Sequence, residues 1–367
     1  MSHDPSTEPT PSTALDWPDL QRKADFTAWL AALAPGHGLQ INSLRSASAD
    51  ASFRRYFRVD TPHGSRIIMD APPEQEDCQP FATVAELMHA AQVKVPQVLA
   101  WDQAKGFMLL TDMGVQTMLQ GIHRDDPRAN QSNYLQAIEA LIAWQLASRP
   151  GVLPPYDEAL LRQEMELFPA WYLQQHRGVA VEGDLRRTLD TAFSHIIREN
   201  LSWPSVYVHR DFMPRNLMVP WGGASAKPDD PRIGVLDFQD AVYGPITYDI
   251  ASLMRDAFLS WEEDFCLDIT IRYWEQARKA KLPVGDDFGE FYRGVEWMGL
   301  QRHLKVAGIF ARLTLRDGKP QYLADTPRFI RYIRSTCARY RELKPLLRLI
   351  ERVEGIEVAQ GYAFGRV

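Results

Sequence analysis

The stretch that decides the fold is VHRDFMPRNL, residues 208–217, joined further along by VLDFQD, residues 235–240. Each begins as an apolar run typical of a short strand and continues into polar residues at the point where that strand should end. The sequence therefore predicts that Asp211, Asn216 and Asp237 lie at neighbouring strand ends around one opening.

These three side chains suit phosphoryl transfer from ATP. A carboxylate must receive the proton of the acceptor hydroxyl, and oxygen ligands must hold Mg²⁺ against the phosphates. Mg²⁺ prefers hard oxygen ligands and is often bound by one or two carboxylates plus phosphate and water. The sequence predicts Asp211 as the catalytic base, Asn216 and Asp237 as the metal ligands, and ATP and Mg²⁺ as the cofactors.

Two further polar residues are candidates for fixing this loop. His209 ends the first apolar strand, where we expect it to lock the loop through a hydrogen bond rather than act as a base. Asp249 follows Tyr248 at the start of a predicted helix. Helix capping is the favoured interpretation of Asp249 from the sequence.

Working outward, the chain has two parts of different pattern. Roughly five strand-like runs and one inserted helix, after a first helix at 15–33, precede residue 112. Helical spacing then dominates, interrupted by short strands around the catalytic stretch. This α+β pattern predicts three regions: a loose tail at 1–14, a β-rich, nucleotide-binding N-lobe at 15–112, and a mainly helical C-lobe at 113–367 with the catalytic loop and acceptor site. The helices expected in the C-lobe lie at 134–148, 158–176, 185–200 and from 248 to about 340.

Composition sets the broad class. The 367 residues are 45% apolar and 24% charged, an ordinary globular balance. Basic residues number 41 and acidic residues 47, which gives a net charge of −6 and argues against a broad nucleic-acid surface. The three cysteines are widely spaced, as fits a reducing cytoplasm. No stretch approaches the roughly 20 apolar residues of a membrane span.

The catalytic stretch also carries a resemblance. His-Arg-Asp-x4-Asn followed by Asp-Phe matches the catalytic-loop and metal-loop pattern of kinases. The continuation DFQDAVYGP, residues 237–245, with Tyr248 and Asp249, is closer to the aminoglycoside-phosphotransferase family, and no Ala-Pro-Glu segment follows. The resemblance implies a two-lobed, protein-kinase-like fold, and it implies a second role for Asp249, bracing the catalytic loop.

Four separated segments are similar to a narrower group within that family, the anomeric amino-sugar kinases of peptidoglycan recycling. This resemblance implies transfer of phosphate from ATP to the C1 hydroxyl of N-acetylmuramate and N-acetylglucosamine, towards UDP-N-acetylmuramate. It implies an amino sugar and ATP as partners, with no nucleic acid, membrane or obligate protein partner. The segments are 46–58, 69–73, 156–161 and 301–306.

The nucleotide side departs from the kinase pattern. The small polar run 46–52 stands where a kinase has its glycine-rich loop, and Ser52 is a candidate for holding phosphate. The strand at 66–70 lacks the usual lysine, so an arginine is expected to replace it. Arg55 is the candidate, with Arg54 and Arg58 left open on the opposite face of the strand.

Adenine is expected to meet backbone atoms. The run FMLLTDMG, residues 107–114, is an apolar strand leading to the lobe boundary. In the family the equivalent segment presents backbone N–H and C=O groups to the base, which implies contacts from Leu110, Thr111 and Met113.

The acceptor site is expected in the C-lobe. Arg302 and His303 lie inside an otherwise apolar helix, where cationic donors suit a lactyl carboxylate, and both are predicted to bind the sugar. Weaker candidates are Glu164, Glu166, Trp171, Tyr172, Gln301 and Lys305.

Three other functions stay open at this point. A kinase of aminoglycosides or other small alcohols would use the same catalytic set with a different acceptor. A non-catalytic nucleotide-binding protein would explain the missing strand lysine. A glycoside hydrolase would use two carboxylates but leave Asn216 unexplained.

Overall fold

The computed structural model describes residues 17, 19–49, 54–220 and 230–356. By their contacts they divide into two compact units. The first contains the described residues up to His89 together with Val95–Gly114. The second contains Ala90–Lys94 and the described residues from Val115 onward. The boundary predicted from the sequence is at 112, and the sequence did not predict that Ala90–Lys94 belong to the second unit. The predicted tail at 1–14 lies outside the described residues.

The first unit is built on one antiparallel sheet of five strands, in the order β1-β2-β3-β5-β4. Strand β2 alternates buried Phe57 and Val59 with partly exposed Arg58 and Asp60, as one buried sheet face requires. Its elements are α1 (Leu20–His37), β1 (Gln40–Ala49), β2 (Arg55–Thr61), β3 (Gly64–Asp70), α2 (Gln79–Ala90), β4 (Val98–Asp102) and β5 (Phe107–Thr111).

Helix α1 supplies the other half of the core of this unit. Its buried Phe26 and Leu30 pack with Phe57, Ile68 and Phe107 from the sheet. The rings of Phe26 and Phe107 meet edge to face with centroids 5.5 Å apart, a favoured aromatic geometry. The helix begins after Asp19, whose carboxylate accepts the backbone N–H of Gln21, so it starts later than the predicted residue 15.

The second unit is mainly helical and carries two small antiparallel sheets, β6-β9 and β7-β8. The loop after β6 contains the predicted catalytic stretch. Its elements are α3 (Gln131–Leu146), α4 (Glu158–Met165), a π-helix (Phe168–His176), α5 (Gly183–Leu201), β6 (Ser205–Val208), β7 (Leu217–Met218), β8 (Gly234–Val235), β9 (Val242–Pro245), α6 (Thr247–Met254), α7 (Glu263–Lys279), α8 (Phe288–Leu315), α9 (Thr326–Arg339) and α10 (Lys344–Glu354).

Helix α8 is buried along most of its length and packs against its neighbours at glycines. A Cβ on Gly308 would lie 2.3 Å from the backbone carbon of Leu167, directly after α4. A Cβ on Gly299 would lie 2.5 Å from the Arg255 side chain at the end of α6. The absence of these side chains allows α8 to approach both segments, which brings its polar residues close to the catalytic loop.

The structure corrects several predicted bounds. The helix predicted at 158–176 is interrupted: α4 ends at Met165 and a π-helix containing Pro169 follows. Strand β9 and helix α10 were not predicted. The small polar run at 46–52 was predicted as a loop, but β1 continues through Ala49, and Ser52 lies outside the described residues.

Candidate active site

The loop between β6 and β7 is fixed by Asp249, a fully buried residue in the first turn of α6. Its two carboxylate oxygens accept the backbone N–H groups of His209, at 2.7 Å, and Arg210, at 3.1 Å. Burial raises the pKa of Asp249 to about 7, against the opposing effect of these two donors. Asp249 does not cap its helix, which begins after Ile246, so the capping interpretation is wrong and the geometry supports the bracing role.

His209 ties the same loop to the strand that leads to Asp237. Its Nε2 donates to the carbonyl of Leu236 at 3.0 Å, and its Nδ1 accepts the backbone N–H of Asp211 at 3.2 Å. Only a neutral ring can accept a hydrogen bond at Nδ1. Burial lowers the pKa of His209 to about 4, so the ring is neutral at physiological pH, as the hydrogen bond that it accepts at Nδ1 requires.

This buried imidazole predicts a pH-dependent contribution to stability. The pKa of His209 is about 4 in the folded protein and about 6.5 in an unfolded chain, so unfolding takes up a proton between these values. The contribution of His209 to the free energy of unfolding is therefore complete above pH 6.5 and falls as the pH is lowered towards 4, by at most about 1.4 kcal/mol per pH unit. Urea unfolding of the wild type and His209→Asn from pH 4.5 to 7.5 measures it.

The quantity to compare is the difference in unfolding free energy between the two proteins at each pH. Asp249 and Asp256, whose pKa values burial raises to about 7 and about 6, titrate with the opposite sign. Both residues are present in both proteins and largely cancel in the difference. A difference that does not change across this range would contradict the prediction.

The three predicted catalytic and metal-binding residues come together in the second unit. The Nδ2 of Asn216 donates to the main-chain carbonyl of Asp211 at 2.9 Å and to Oδ2 of Asp237 at 3.2 Å. The backbone N–H of Leu236 donates to the carbonyl of Asn216 at 2.9 Å, which fixes the two strand ends to each other. Asp237 has φ +63°, a left-handed backbone conformation that is uncommon outside glycine and is concentrated at functional sites.

The oxygens of this set fit a magnesium ion. Both hydrogen bonds that the structure gives to the Asn216 side chain are donated by Nδ2, so neither engages its Oδ1. Asp237 adds a carboxylate that is exposed to solvent. The described residues contain no cluster of three or more His, Cys, Asp or Glu side chains able to hold a metal. Asn216 and Asp237 would therefore share such an ion with phosphate and water oxygens, as is common for Mg²⁺.

The three residues predicted to contact adenine lie in the first unit. They differ in whether their backbone N–H and C=O groups are already hydrogen-bonded within the sheet. Leu110 is buried in the interior strand β5, paired with Ile67 on β3 and Val98 on β4. The backbone N–H of Thr111 donates to the carbonyl of Gln97 at 3.0 Å. Within the described chain, the backbone of Met113 makes no hydrogen bond. The backbone of Leu110 and the N–H of Thr111 are thus engaged by neighbouring residues of the sheet region. Of the three residues, Met113 is the one whose backbone can best hydrogen-bond to a base.

Each arginine considered for the missing lysine already faces a carboxylate. Arg55 donates through Nε to the fully buried Asp70 at 2.9 Å, and its guanidinium lies 4.1 Å from the ring centre of Trp17. These partners argue against Arg55 as a free phosphate ligand. The two alternatives are paired in the same way: Arg54 with Glu76 at 3.1 Å and Arg58 with Asp112 at 2.5 Å.

The predicted sugar-binding pair is buried. Arg302 and His303 have 3% and 1% of their surface exposed, which argues against direct contact with a sugar. Arg302 instead donates through a terminal guanidinium nitrogen to the main-chain carbonyl of Arg210 at 2.6 Å. His303 stacks on Tyr332 with ring centroids 4.8 Å apart. The structure places both residues inside the unit, one against the catalytic loop and one in the aromatic core.

Sequence reasoning missed that three of the weaker sugar candidates, Glu164, Gln301 and Lys305, form a buried cluster. Glu164 contacts Lys305 at 2.7 Å and Arg210 at 2.5 Å, and it accepts from Gln301 at 2.9 Å. One signal was available: Gln301 and Lys305 are four residues apart in an apolar helix and so share one face. The charge of Glu164 on an adjacent helix would then have indicated a buried ion pair.

The two-unit fold, together with the convergence of Asp211, Asn216 and Asp237, defines a phosphotransferase of the protein-kinase-like class. The model of the phosphotransferase enzyme family matches residues 43–284, and the chain belongs to this family. No described helix has the length and apolar character needed to cross a membrane.

Two named relatives are similar to this chain in sequence over most of its length. A relative from Pseudomonas aeruginosa named N-acetylmuramate/N-acetylglucosamine kinase is 49% identical over 304 residues, covering 83% of this chain and 86% of the relative. A relative with the same name from Neisseria meningitidis is 45% identical over 348 residues, covering 94% of this chain and 100% of the relative.

Solved structures resemble the fold at low sequence identity. The ethanolamine kinase of Plasmodium vivax superposes with a TM-score of 0.57 at 12% identity, covering 89% of this chain and 91% of that chain. The ADP-bound aminoglycoside phosphotransferase APH(2'')-Ib gives 0.53 at 13% identity, covering 86% and 97%. At such identities the likeness establishes the fold alone.

Proposed function

We propose that this protein is an ATP-dependent kinase that phosphorylates the anomeric C1 hydroxyl of N-acetylmuramate and N-acetylglucosamine. The observation that carries the proposal is the identity of 45–49%, over most of the chain, to relatives named for these two sugars. The product would be a sugar 1-phosphate that enters peptidoglycan recycling towards UDP-N-acetylmuramate. The cytoplasm is the proposed compartment because ATP is available there.

In the proposed mechanism Asp211 removes the proton from the C1 hydroxyl as that oxygen forms a bond to the γ-phosphorus of ATP. The bond from the γ-phosphorus to the bridging oxygen breaks, and ADP leaves. Mg²⁺ bound at Asn216 and Asp237 would neutralise charge on the phosphates. An anomeric hydroxyl is more acidic than an ordinary alcohol, so a carboxylate suffices as the base.

The remaining residues would orient these groups. His209 and Asp249 support the proposal because they hold the main chain around Asp211 through the hydrogen bonds described above. For the nucleotide, the proposal uses the backbone of Met113 for adenine and retains Ser52 for phosphate. It assigns no sugar contact to Arg302 or His303, because both are buried.

A substrate panel tests the proposal. We expect the purified protein with Mg-ATP to form ADP in the presence of N-acetylmuramate or N-acetylglucosamine. We also expect the product to show phosphorus coupling to C1 in NMR spectra, since the base is assigned to the anomeric hydroxyl. N-acetylglucosamine with its anomeric oxygen methylated is the matched control and should give no product.

Two results would overturn the proposal. Preferred phosphorylation of an aminoglycoside or a simple amino alcohol would identify a different acceptor. Nucleotide binding without turnover of any acceptor in the panel would indicate a non-catalytic protein.

A further inference from the structure

Arg210, which directly precedes Asp211, has an unusual backbone. Its φ is +76°, a left-handed conformation that is unfavourable for a residue with a Cβ. Such a conformation persists when surrounding contacts over-determine it. Because the next residue is the proposed base, the contacts that hold the Arg210 backbone also set the orientation of Asp211.

One contact to the main chain of Arg210 comes from α8. A terminal nitrogen of Arg302 donates to the carbonyl of Arg210 at 2.6 Å, and the backbone N–H of Arg210 donates to the carboxylate of Asp249 on α6 at 3.1 Å. The guanidinium of Arg302 lies 4.8 Å from the ring centre of Tyr248, which fixes its own position. The backbone N–H and carbonyl of Arg210 are thus both held by buried polar side chains.

A second contact holds the side chain of Arg210. Glu164 on α4 accepts from the Arg210 guanidinium at 2.5 Å and from Lys305 Nζ at 2.7 Å through the same oxygen. Its other oxygen accepts from the Tyr156 hydroxyl and from Gln301 Nε2. Glu164 is 5% exposed. Burial alone would raise its pKa, but Lys305 and Arg210 hold the pKa down at about 2, so the group is ionised at every physiological pH.

We infer that Glu164 and Arg302 are positioning residues for the catalytic base, acting through Arg210. Three helices each supply one ionisable side chain to a single loop residue: α4 to its guanidinium, α8 to its carbonyl and α6 to its N–H. The ion pair between Glu164 and Arg210 involves the residue directly before Asp211, a position that stability alone would not require. The inference rests on the proposed role of Asp211.

The main test replaces Glu164 with glutamine, which keeps the size of the side chain and removes its charge. We expect kcat to fall by about 10- to 100-fold, because small displacements of a reacting group are costly to the rate. The KM values for ATP and sugar should stay within about threefold, since no substrate contact is removed.

Glu296 on α8 provides a matched control. It is 3% exposed and binds Arg339 at 2.6 Å and Arg255 at 3.4 Å, so it resembles Glu164 in burial and partners. It makes no contact with the catalytic loop among the described residues. Glu296→Gln should lower the melting temperature about as much as Glu164→Gln and leave kcat near the wild-type value.

Arg302 gives an independent test should Glu164→Gln fail to fold. Arg302→Met keeps an apolar stem beside Tyr248 but removes the donor to the Arg210 carbonyl, whereas Arg302→Lys retains a cationic donor. We expect kcat to decrease in the order wild type, Arg302→Lys, Arg302→Met, with little change in KM. Because Glu164 and Arg302 hold the same residue, the combined variant should lose less in kcat than the product of the single losses.

The outcomes separate this inference from the proposed function. If Glu164→Gln and Arg302→Met keep wild-type kcat, or if Glu296→Gln loses as much kcat as Glu164→Gln, the network is only structural and the inference is overturned. A wild-type protein with no kinase activity, or an Asp211→Asn variant with full activity, would instead overturn the proposed function.

Discussion

Asp211→Asn should lower kcat by about 10²- to 10⁴-fold, the usual contribution of a positioned general base. The side chain of Asp211 makes no hydrogen bond with another described residue, while its main chain is held by His209 and Asn216. Asparagine has nearly the same shape, so the loop should keep its conformation and lose only the proton acceptor. Steady-state kinetics with Mg-ATP and N-acetylglucosamine measures the change.

A measurement of nucleotide affinity distinguishes loss of the catalytic base from disruption of the nucleotide-binding site. We expect the affinity of Asp211→Asn for Mg-ADP to match that of the wild type, because Asn216 and Asp237 are unchanged. Asp268→Asn is a suitable control, as it removes a carboxylate on α7 whose hydrogen bonds, among the described residues, go to Arg272 and Gln131. A kcat within a few-fold of the wild-type value for Asp211→Asn would rule out this residue as the base.

The proposed base and metal ligands could be predicted because the relevant pattern is local. An apolar strand that ends in a polar residue places that residue at a strand end. Strand β6 leads to Asp211 and β8 leads to Asp237 in this way, and Asn216 directly precedes β7. The convergence of Asp211, Asn216 and Asp237 follows from those short strands. Their assignment to particular chemical roles came from residue chemistry and from the resemblance.

The surroundings of the loop could not be predicted because they depend on packing. Polar residues in the apolar helix α8 could face either a substrate or a neighbouring helix, and only the contact with α4 shows that Lys305 meets Glu164. Strand β9 was missed because its Gly244 and Pro245 are typical of a turn. The structure gives Gly244 another reason: a Cβ there would lie 2.6 Å from Cβ of Tyr156.

Asp237→Ala should weaken binding of the magnesium–nucleotide complex by at least about 10-fold, since loss of even an outer-sphere partner typically costs that much metal affinity. Binding of ADP in the presence of EDTA should change little, because the carboxylate is proposed to act on phosphate through the metal. Isothermal titration calorimetry with Mg-ADP and with metal-free ADP measures the two affinities for the wild type and the variant.

A neighbouring carboxylate distinguishes metal ligation from a general charge effect. Asp240 is exposed and lies on the same segment as Asp237, so Asp240→Ala removes an equal charge without removing the proposed ligand. If both variants weaken Mg-ADP equally, the effect is long-range electrostatics, and it should then fade as salt is added. If only Asp237→Ala does so, ligation explains the loss. Equal Mg-ADP affinity in the wild type and Asp237→Ala would remove Asp237 from the metal site, and the hydrogen bond from Asn216 would then serve only to join the two strand ends.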